Sequence, residues 1–513
     1  MELFDNIAFG FSVALTPTTL LYCFIGVTFG TFIGVLPGIG PLATIGLLLP
    51  ITFHLSPIEG IVMLAGIYYG ALYGGSTTAI LLNLPGTAAS VVVALDGHPM
   101  AKAGRPGPPL VMTTLVSFVA ACFAIVIIAA FAPPLARFAL RFGSPEYFSL
   151  MIMGLLGAAA LVHGSLLKGL AMVVLGLLLG MIGLDLTTGI ERFTFGSVHL
   201  ADGLSFVVVI IGLFGLAEVL NNLAMGSARP NVAQRIGWRE LIPNREDLKT
   251  SVMPTVRGSA LGSALGVLPG AGAAIASFAA YAVEKRVSKH PERFGKGAME
   301  GVTAPEAANN AAAQCSFIPT LSIGIPGDAV MALMLGAMMI HGLVPGPGII
   351  ENHPDFFWGL VASFWIGNLL LLILNLPLVG IWVRMLRTPY HLLYPTILTF
   401  IAIGVYSLHR STFDVLLVTG LGVAGYLFIR LRAEAAPLLL GLVLGPLLEQ
   451  NLRRSMLLSR GDPMIFVERP ISLAFLLLGA LIILVVATPA IKGWWADRFG
   501  RAARVGGPTS GPG

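Results

Sequence analysis

Long apolar stretches, separated by short polar or basic segments, occupy most of the chain. A stretch of roughly 20 apolar residues can cross the hydrocarbon core of a bilayer as a helix. The pattern therefore predicts an all-α polytopic membrane protein with roughly 10–12 spans. The segment 7–21 could be an interfacial or first membrane helix. More apolar segments fall at 110–132, 147–162, 166–184, 204–223, 356–380, 393–407, 412–430, 436–448 and 471–488.

Two further apolar regions contain helix breakers beside neutral polar residues. Region 58–95 carries GGSTTAILLNLPGT, and region 304–345 carries NNAAAQCSFIPTLSIGIPGD. Proline lacks a backbone donor and clashes with the preceding turn, and glycine weakens a helix, so both Pro-Gly pairs predict an interruption. Inside a bilayer, freed backbone groups are tolerated only where protein or a water-filled cavity receives them. We therefore predict two broken membrane helices of the kind that form transporter sites near the bilayer midplane.

A second pair of motifs predicts re-entrant hairpins. GVLPGIGP lies within 22–50, and GVLPGAGA lies within 259–282. Each motif is either a broken or kinked span or the tip of a hairpin. The second copy has basic residues on both flanks, so a single crossing would place one basic flank outside, against the positive-inside rule. The first copy has no basic flank, which suits a hairpin that opens to the outside, and together they predict an inverted repeat.

The repeats divide the chain. We predict an N-terminal repeat over 1–224, a cytoplasmic linker over 225–257, a C-terminal repeat over 258–490 and a cytoplasmic tail over 491–513. The loop with Lys102 and Arg105 carries the first basic residues of the chain and is predicted to be cytoplasmic. The loop around Glu351 has no basic residue and is predicted to be external.

Composition agrees with a membrane protein. The chain is 56% hydrophobic and 11% charged, whereas soluble domains carry about 25% charged residues. We assign the net charge of +5 to basic cytoplasmic loops and not to a nucleic-acid partner. The three cysteines are far apart in apolar surroundings, so we interpret them as core residues and not as a disulfide frame or metal site.

The broken helices have a definite chemistry. One half of a broken helix presents free N–H groups that attract anions, and the other presents carbonyls that suit a hard cation such as Na⁺. A di- or tricarboxylate could then be held by backbone N–H, Ser, Thr and Asn groups and neutralised by co-bound cations. Residues 1–101 and 301–383 contain no Lys or Arg, which favours this arrangement over a salt-bridged one. Na⁺ is expected near Gly38, Thr78, Gly270 and Thr320. The hairpin tips are Pro37, Gly38, Gly40, Pro269, Gly270 and Gly272. The candidate substrate-binding residues are Ser76, Thr77, Thr78, Asn83, Pro85, Gly86, Thr87, Asn309, Asn310, Gln314, Pro319, Thr320, Ser322, Pro326, Gly327 and Asp328.

Other roles are open for several of these residues. The hydroxyls of 76–78 could bond back to the preceding turn. Asp328 could cap the half-helix after Gly327, or it could bind a proton or cation. Tyr68 and Tyr69 could serve packing or gating. Glu306 is given a structural role near the cytoplasmic end of its segment.

Catalytic motifs do not support an enzyme. GKG at 295–297 lacks the Ser or Thr of a phosphate loop, no HExxH pair occurs, and GIPGD resembles the motif of intramembrane aspartyl proteases only loosely. The alternative to a binding-protein-dependent carrier is a stand-alone organic-anion channel or permease. A channel should show a continuous polar stripe, whereas polarity here is concentrated at two points.

At these motifs the chain resembles the large membrane subunit of the tripartite tricarboxylate transporters. The resemblance rests on IYYGALYGGSTTAILLNLPGT, DGHPMAKAG, GVLPGAGA, EGVTAPEAANNAA and IPTLSIGIPGDAV, and it extends over about 20–485. It implies a multi-pass secondary transporter of the bacterial inner membrane, without a cofactor, that imports carboxylates in symport with Na⁺ or H⁺. It also implies two partners, a small four-helix membrane subunit and a periplasmic substrate-binding protein. An elevator-like motion is expected by analogy alone.

Overall fold

The structure is a computed structural model that describes residues 2–36, 40–160, 162, 165–185, 188–225, 241–268, 272–385 and 390–504. Helices dominate this part of the chain, which confirms the all-α class. In the first half the helices are α1 Glu2–Ala14, α2 Pro17–Val35, α3 Pro41–Thr52, α4 Pro57–Leu82, α5 Val91–Lys102, α6 Gly107–Ala139, α7 Ser144–Ala160, α8 Leu166–Gly180, α9 Phe206–Ile210 and α10 Ala217–Met225. A 3₁₀ turn, Ala88–Ser90, precedes α5, and a π-helical turn, Ile211–Leu216, joins α9 to α10.

The second half continues the pattern. Its helices are α11 Arg245–Gly266, α12 Gly272–Val287, α13 Glu300–Cys315, α14 Phe317–Ser322, α15 Ala329–Ile340, α16 Ile349–Asn352, α17 Pro354–Asn375, α18 Val379–Met385, α19 Tyr390–His409, α20 Thr412–Arg430, α21 Ala436–Leu458, α22 Ile465–Glu468 and α23 Pro470–Arg504. A small antiparallel hairpin, β1 Gly183–Leu184 with β2 Glu191–Arg192, was not predicted. It is fixed to α21 because Arg192 pairs with Glu449, and Arg453 pairs with both Asp185 and Glu449.

Five helices in the described part are long and apolar enough to cross a membrane: Pro17–Val35, Gly107–Ala139, Phe206–Ala224, Pro354–Asn375 and Thr412–Arg430. Shorter apolar helices include Leu166–Gly180, Ala329–Ile340 and Pro470–Val486. These features agree with a multi-pass membrane protein. The number of crossings stays a prediction.

Both predicted helix interruptions are present. Helix α4 begins with a capping box between Ser56 and Glu59 and ends at Asn83, which adopts a left-handed conformation with φ 55°. The chain then passes Pro85-Gly86 before helix resumes after Thr87. In the second half, α14 ends at Ser322 and the chain passes Gly324, with φ +80°, before Asp328 caps α15. Helix geometry therefore stops at each Pro-Gly pair because the chain needs backbone conformations that a helix does not supply.

Each broken helix packs against a helix pair through glycines. We call α2 with α3 the first helix pair, and α11 with α12 the second helix pair. In both pairs, three glycines spaced four residues apart face the broken helix, and a Cβ on any of them would overlap a backbone carbonyl oxygen. Gly26, Gly30 and Gly34 face the carbonyls of Met63, Ile67 and Ala71, and Gly258, Gly262 and Gly266 face those of Ala304, Ala308 and Ala312. The two halves thus use the same glycine-to-carbonyl packing.

The second helix pair is longer than predicted. Its first helix begins at Arg245, within the predicted linker over 225–257, and its second helix continues to Val287. Asn244 caps α11 by accepting from the Asp247 N–H at 2.6 Å. The first turns of α11 are rich in charge, and this hid the helix from a search for apolar stretches. Residues 226–240 of the predicted linker lie outside the described residues, and α23 extends into the predicted tail as far as Arg504.

Helices α4 and α13 lie at the centre of the protein. Every residue from Gly60 to Ile80 is buried, and so is every residue of α13. Cys23 and Cys315 are also buried as free thiols, in agreement with their assignment as core residues. Polar residues on buried helices need hydrogen-bond partners inside the protein.

Asp96 on α5 connects the two halves near the predicted cytoplasmic loops. The carboxylate is fully buried. Its Oδ1 accepts from the N–H groups of Gly295, Gly297 and Ala298 at 2.8 Å, and its Oδ2 accepts from the Tyr281 hydroxyl at 2.9 Å. One side chain therefore fixes the loop that precedes α13 to the helix that follows the first break.

Candidate functional site

A cavity of about 460 Å³ lies where four helices begin. Its lining includes Gly40 and Pro41 at the start of α3, Thr87 and Ala88 before α5, Gly272 and Ala273 at the start of α12, and Asp328 and Ala329 at the start of α15. Two of these helix starts come from each half of the chain. The cavity therefore lies between the N-termini of the second helices of both pairs and the N-termini of the helices that follow both interruptions.

The helix N-termini at this cavity favour an anion. The first N–H groups of a helix have no partner within the helix, and its N-terminus carries roughly half a positive charge. Gly40 makes no side-chain cap for α3. Thr87 accepts the N–H of Ser90 at 3.3 Å. Asp328 accepts the N–H of Met331 at 2.8 Å and also bonds to the backbone of Val330. Within the described residues, the first turn of α3 therefore has no side-chain cap.

Side-chain charge in the cavity is acidic. The polar and charged lining residues are Tyr68, Thr87, Glu218, Asp328 and Glu434, and the described lining contains no Lys or Arg. The Tyr68 hydroxyl donates to Asp328 Oδ2 at 2.7 Å. The rest of the wall is apolar, with Leu72, Phe214 and Leu440 among its residues. An anion in this cavity would meet main-chain dipoles and carboxylates, but no fixed cationic side chain of the described lining.

Six of the candidate residues line the cavity: Gly40, Pro85, Gly86, Thr87, Gly272 and Asp328. The capping role considered for Asp328 is confirmed, because Asp328 is the N-cap of α15 and its side chain accepts the N–H of Met331. Pro326 and Gly327 are not among the lining residues, and a Cβ added at Gly327 would meet Ser316 and the Gly266 carbonyl. In the first half Gly86 packs on Gly75 and the Gly34 carbonyl in the same way. The hairpin tips Pro37, Gly38, Pro269 and Gly270 lie outside the described residues.

Other candidate residues do not line the cavity. Thr78 donates to the Gly75 carbonyl at 3.0 Å, which is the local helix bond considered as an alternative. Thr320 makes a bond of the same kind, to the Ser316 carbonyl at 2.8 Å. Ser322 donates to the Ala132 carbonyl at 3.0 Å. Asn83 is exposed at the end of α4, whereas Thr77, Gln314 and Pro319 are buried within helices. These contacts leave their role in binding Na⁺ or substrate a prediction.

Three candidates instead surround Glu306, which sequence reasoning excluded from the site. Glu306 is 0% exposed. Its Oε2 accepts from Ser76 Oγ at 2.6 Å and from Asn309 Nδ2 at 3.2 Å. Its Oε1 accepts from Ser117 Oγ at 2.9 Å and from Asn310 Nδ2 at 3.2 Å. The sequence contained one signal, because Asn309 and Asn310 follow Glu306 by three and four positions and so share its helix face.

Tyr69 has a different environment from Tyr68. Its ring packs on Phe317 and Phe364, with centroid distances of 6.3 and 5.4 Å. Its hydroxyl is buried without a hydrogen-bond partner in the described part of the chain. Tyr69 therefore serves packing, whereas Tyr68 reaches the cavity.

Comparison with known proteins assigns the chain to a family. Residues 20–440 match the model of the tripartite tricarboxylate transporter TctA family. An uncharacterized 52.8 kDa protein in the TAR-I ttuC' 3' region of Agrobacterium vitis is 54% identical over 492 residues, which cover 96% of this chain and 98% of that protein. An uncharacterized protein in the TAR-II ttuC' 3' region of the same organism is 55% identical over 231 residues, covering 45% of this chain and 96% of that protein. No solved structure matches the chain. The resemblance seen in the motifs is confirmed, and the chain belongs to the tripartite tricarboxylate transporter TctA family.

Proposed function

We propose that this chain is the large membrane subunit of a transporter that imports a di- or tricarboxylate by cation-coupled alternating access. The anion binds in the cavity at the four helix starts. The observation that carries this proposal is the convergence of α3, α5, α12 and α15 on one cavity. Each helix N-terminus supplies roughly half a positive charge, so four together offer an anion about two positive charges. This matches the charge of a small dicarboxylate without an arginine.

The acidic wall supports coupling to a cation. Glu218, Asp328 and Glu434 would repel a carboxylate substrate if they were all ionised and unneutralised. Bound Na⁺ or H⁺ would remove this repulsion, so the anion would bind well only together with its cations. Symport follows from such a dependence, because each ligand raises the affinity for the other.

The repeated glycine packing supports alternating access. Equivalent contacts in the two halves, at Gly86 and at Gly327, are what internal repeats would produce. We propose that the halves are inverted repeats, each with a re-entrant hairpin, and that they move relative to each other around the cavity. An elevator-like movement is one form of this motion.

Family membership supports the assignment of partners. We propose that a small four-helix membrane subunit binds this chain in the bacterial inner membrane, and that a periplasmic binding protein delivers the carboxylate. The alternative, a stand-alone organic-anion channel or permease, would need a polar path through several helices. Polar and charged residues instead form a small part of the described cavity lining, and the rest of that lining is apolar.

The test is uptake by the purified protein in proteoliposomes, with and without the proposed small membrane subunit and binding protein. Radiolabelled di- and tricarboxylates are offered singly, with monocarboxylates and neutral sugars as controls. We expect accumulation of a carboxylate only when the binding protein and an inward cation gradient are both present. Passive uptake that needs neither would instead support the channel. Absence of any carboxylate uptake in the complete system would overturn the proposal.

A further inference from the structure

Resting on the proposed transport function, we propose that Glu306 is the site that binds the coupling proton, separate from the substrate cavity. Glu306 does not line the cavity. It lies at a contact between the halves, because Ser76 and Ser117 belong to the first half and Asn309 and Asn310 to the second. A buried carboxylate in a membrane protein needs a function or a partner to offset its burial.

The surroundings of Glu306 suit a carboxylate that changes protonation. Complete burial opposes the ionised form, whereas four hydrogen-bond donors stabilise it. Within the described part of the chain, no Lys, Arg or His forms an ion pair with Glu306 that would hold it permanently ionised. On protonation, the proton sits on Oε2 and is shared with Ser76 Oγ, 2.6 Å away, which then acts as the acceptor.

The same donors argue against a metal cation at this point. Hard cations take a shell of oxygen ligands. Here Asn309 and Asn310 direct their amide nitrogens towards the carboxylate. The amide oxygen of Asn309 accepts from Asn310 Nδ2 at 2.6 Å. A proton needs no such shell, so it is the cation that this cluster fits.

Neighbouring titratable groups are engaged elsewhere. Helix α13 packs against α4, α5, α6, α11 and α12. On α4, Tyr73 donates its hydroxyl to Asn368 at 2.6 Å. On α6, Cys122 accepts from Asn368. On α11 and α12, Arg257 pairs with Glu284.

Two further carboxylates complete the neighbourhood. On α5, Asp96 accepts the bonds of Tyr281 and of the loop before α13. On α13 itself, Glu300 lies six positions before Glu306. None of the other charged side chains that these helices carry in the described ranges bonds to Glu306. Protonation of Glu306 is therefore governed by its own four donors and its access to water.

A structural link joins Glu306 to the first break. Ser76, which donates to Glu306, follows Gly75, whose carbonyl accepts from the Gly86 N–H at 3.4 Å. Gly86 and Thr87 form part of the cavity wall. Binding a proton changes the bond at Ser76, and this change is one residue away from the contact that positions the wall. Movement between the halves would also separate Glu306 from Ser76 and Ser117 and expose it to water, which allows the proton to leave.

The experiment compares substrate accumulation with and without an inward pH gradient, at fixed Na⁺ and with the membrane potential held near zero. A gradient of one pH unit raises accumulation about tenfold for each coupled proton. We expect the wild type to show this ratio and Glu306→Gln to show a ratio near one, whatever its absolute rate. Glu300→Gln is the matched control, because Glu300 is a buried carboxylate of the same helix, and it should keep the wild-type ratio. A wild-type ratio in Glu306→Gln, or an equal loss in Glu300→Gln, would overturn the proposal.

A second measurement tests the proposal even if Glu306→Gln fails to fold. This measurement does not depend on transport. Hydrophobic carbodiimides react with protonated carboxyl groups, and mass spectrometry locates the product in the purified wild-type protein. We expect labelling at Glu306 that increases as the pH is lowered, and little labelling at Glu284, which is held by Arg257. Absence of labelling at Glu306 at every pH would overturn the proton site. Failure of carboxylate uptake with normal labelling would instead overturn the proposed transport function and leave the proton site supported.

Discussion

The Tyr68 hydroxyl donates to Asp328 Oδ2 at 2.7 Å and so joins the middle of α4 to the N-terminus of α15. Its neighbour Tyr69 has a buried hydroxyl without a partner in the described chain. Adjacent tyrosines on one helix therefore form a matched pair, in which one hydroxyl is bonded across the two halves and the other is not.

Removing the first of these hydroxyls should cost stability. Tyr68→Phe removes one hydrogen-bond donor from the partly buried Asp328 carboxylate, and we expect a loss of about 1–3 kcal/mol. Tyr69→Phe removes a hydroxyl that has no bond, so it should leave stability unchanged or raise it. Thermal unfolding of the purified protein in detergent compares the two, and an equal effect of both substitutions would contradict the assigned role of Tyr68.

Thr87 combines a cap with a place in the cavity wall. Thr87→Ala removes a polar group from the cavity wall, so it should abolish uptake in proteoliposomes. Expression should stay normal, because losing a cap costs only about 1 kcal/mol. Thr87→Ser keeps the hydroxyl and should restore most of the uptake. Normal transport by Thr87→Ala would remove this residue from the site.

The glycine packing should not tolerate a methyl group. Gly30→Ala places a Cβ against the Ile67 carbonyl, and overpacking of this kind typically costs about 1–3 kcal/mol. Gly420→Ala is the control, because Gly420 lies in α20 with nothing within 4 Å of an added Cβ. It should be neutral or stabilising by up to about 1 kcal/mol. The midpoint of thermal unfolding separates the two, and a stable Gly30→Ala would show that the first helix pair is not closely packed against α4.

Asp96 should matter more for folding than for binding. Asp96→Ala removes the acceptor of three backbone N–H groups and of Tyr281. Each buried donor left without a partner costs about 1–3 kcal/mol, so we expect little folded protein. Asp202→Ala, at an exposed position, should express normally. Wild-type yield and unfolding temperature for Asp96→Ala would contradict this role.

Membrane topology can be tested with single cysteines in a background without the native ones. Lys102→Cys and Glu351→Cys should react with an impermeant maleimide from opposite faces of the membrane. The expectation rests on the basic residues near Lys102 and their absence near Glu351. Labelling of both from the same face would require a different order of crossings.

Local chemistry explains which features the sequence could predict. Pro85-Gly86 and Pro326-Gly327 force helix breaks through their own backbone properties, so both breaks were predictable. The start of α11 was missed because its first turns are charged, and β1 and β2 were missed because each has two residues. Membership of the family was evident because its motifs are long.

The partners of Glu306 could not be predicted in this way. Ser76 and Ser117 are 230 and 189 positions away in the chain, and no periodicity links them to Glu306. The same limit applies to Tyr68 and Asp328, which are 260 positions apart. Sequence reasoning found that polar residues gather near the breaks. It could not divide them between the cavity wall and the separate cluster around the glutamate.

Each half of the chain supplies two of the four helix N-termini at the cavity, and this matters when the two halves are produced as separate fragments. A fragment that ends before α11 would keep only the dipoles of α3 and α5, and the complementary fragment only those of α12 and α15. Under the proposed function, each piece would offer a doubly charged substrate only half of the positive charge that the four helix N-termini supply together. We therefore expect no substrate uptake by either half alone. Uptake should return only when both halves are produced together and assemble.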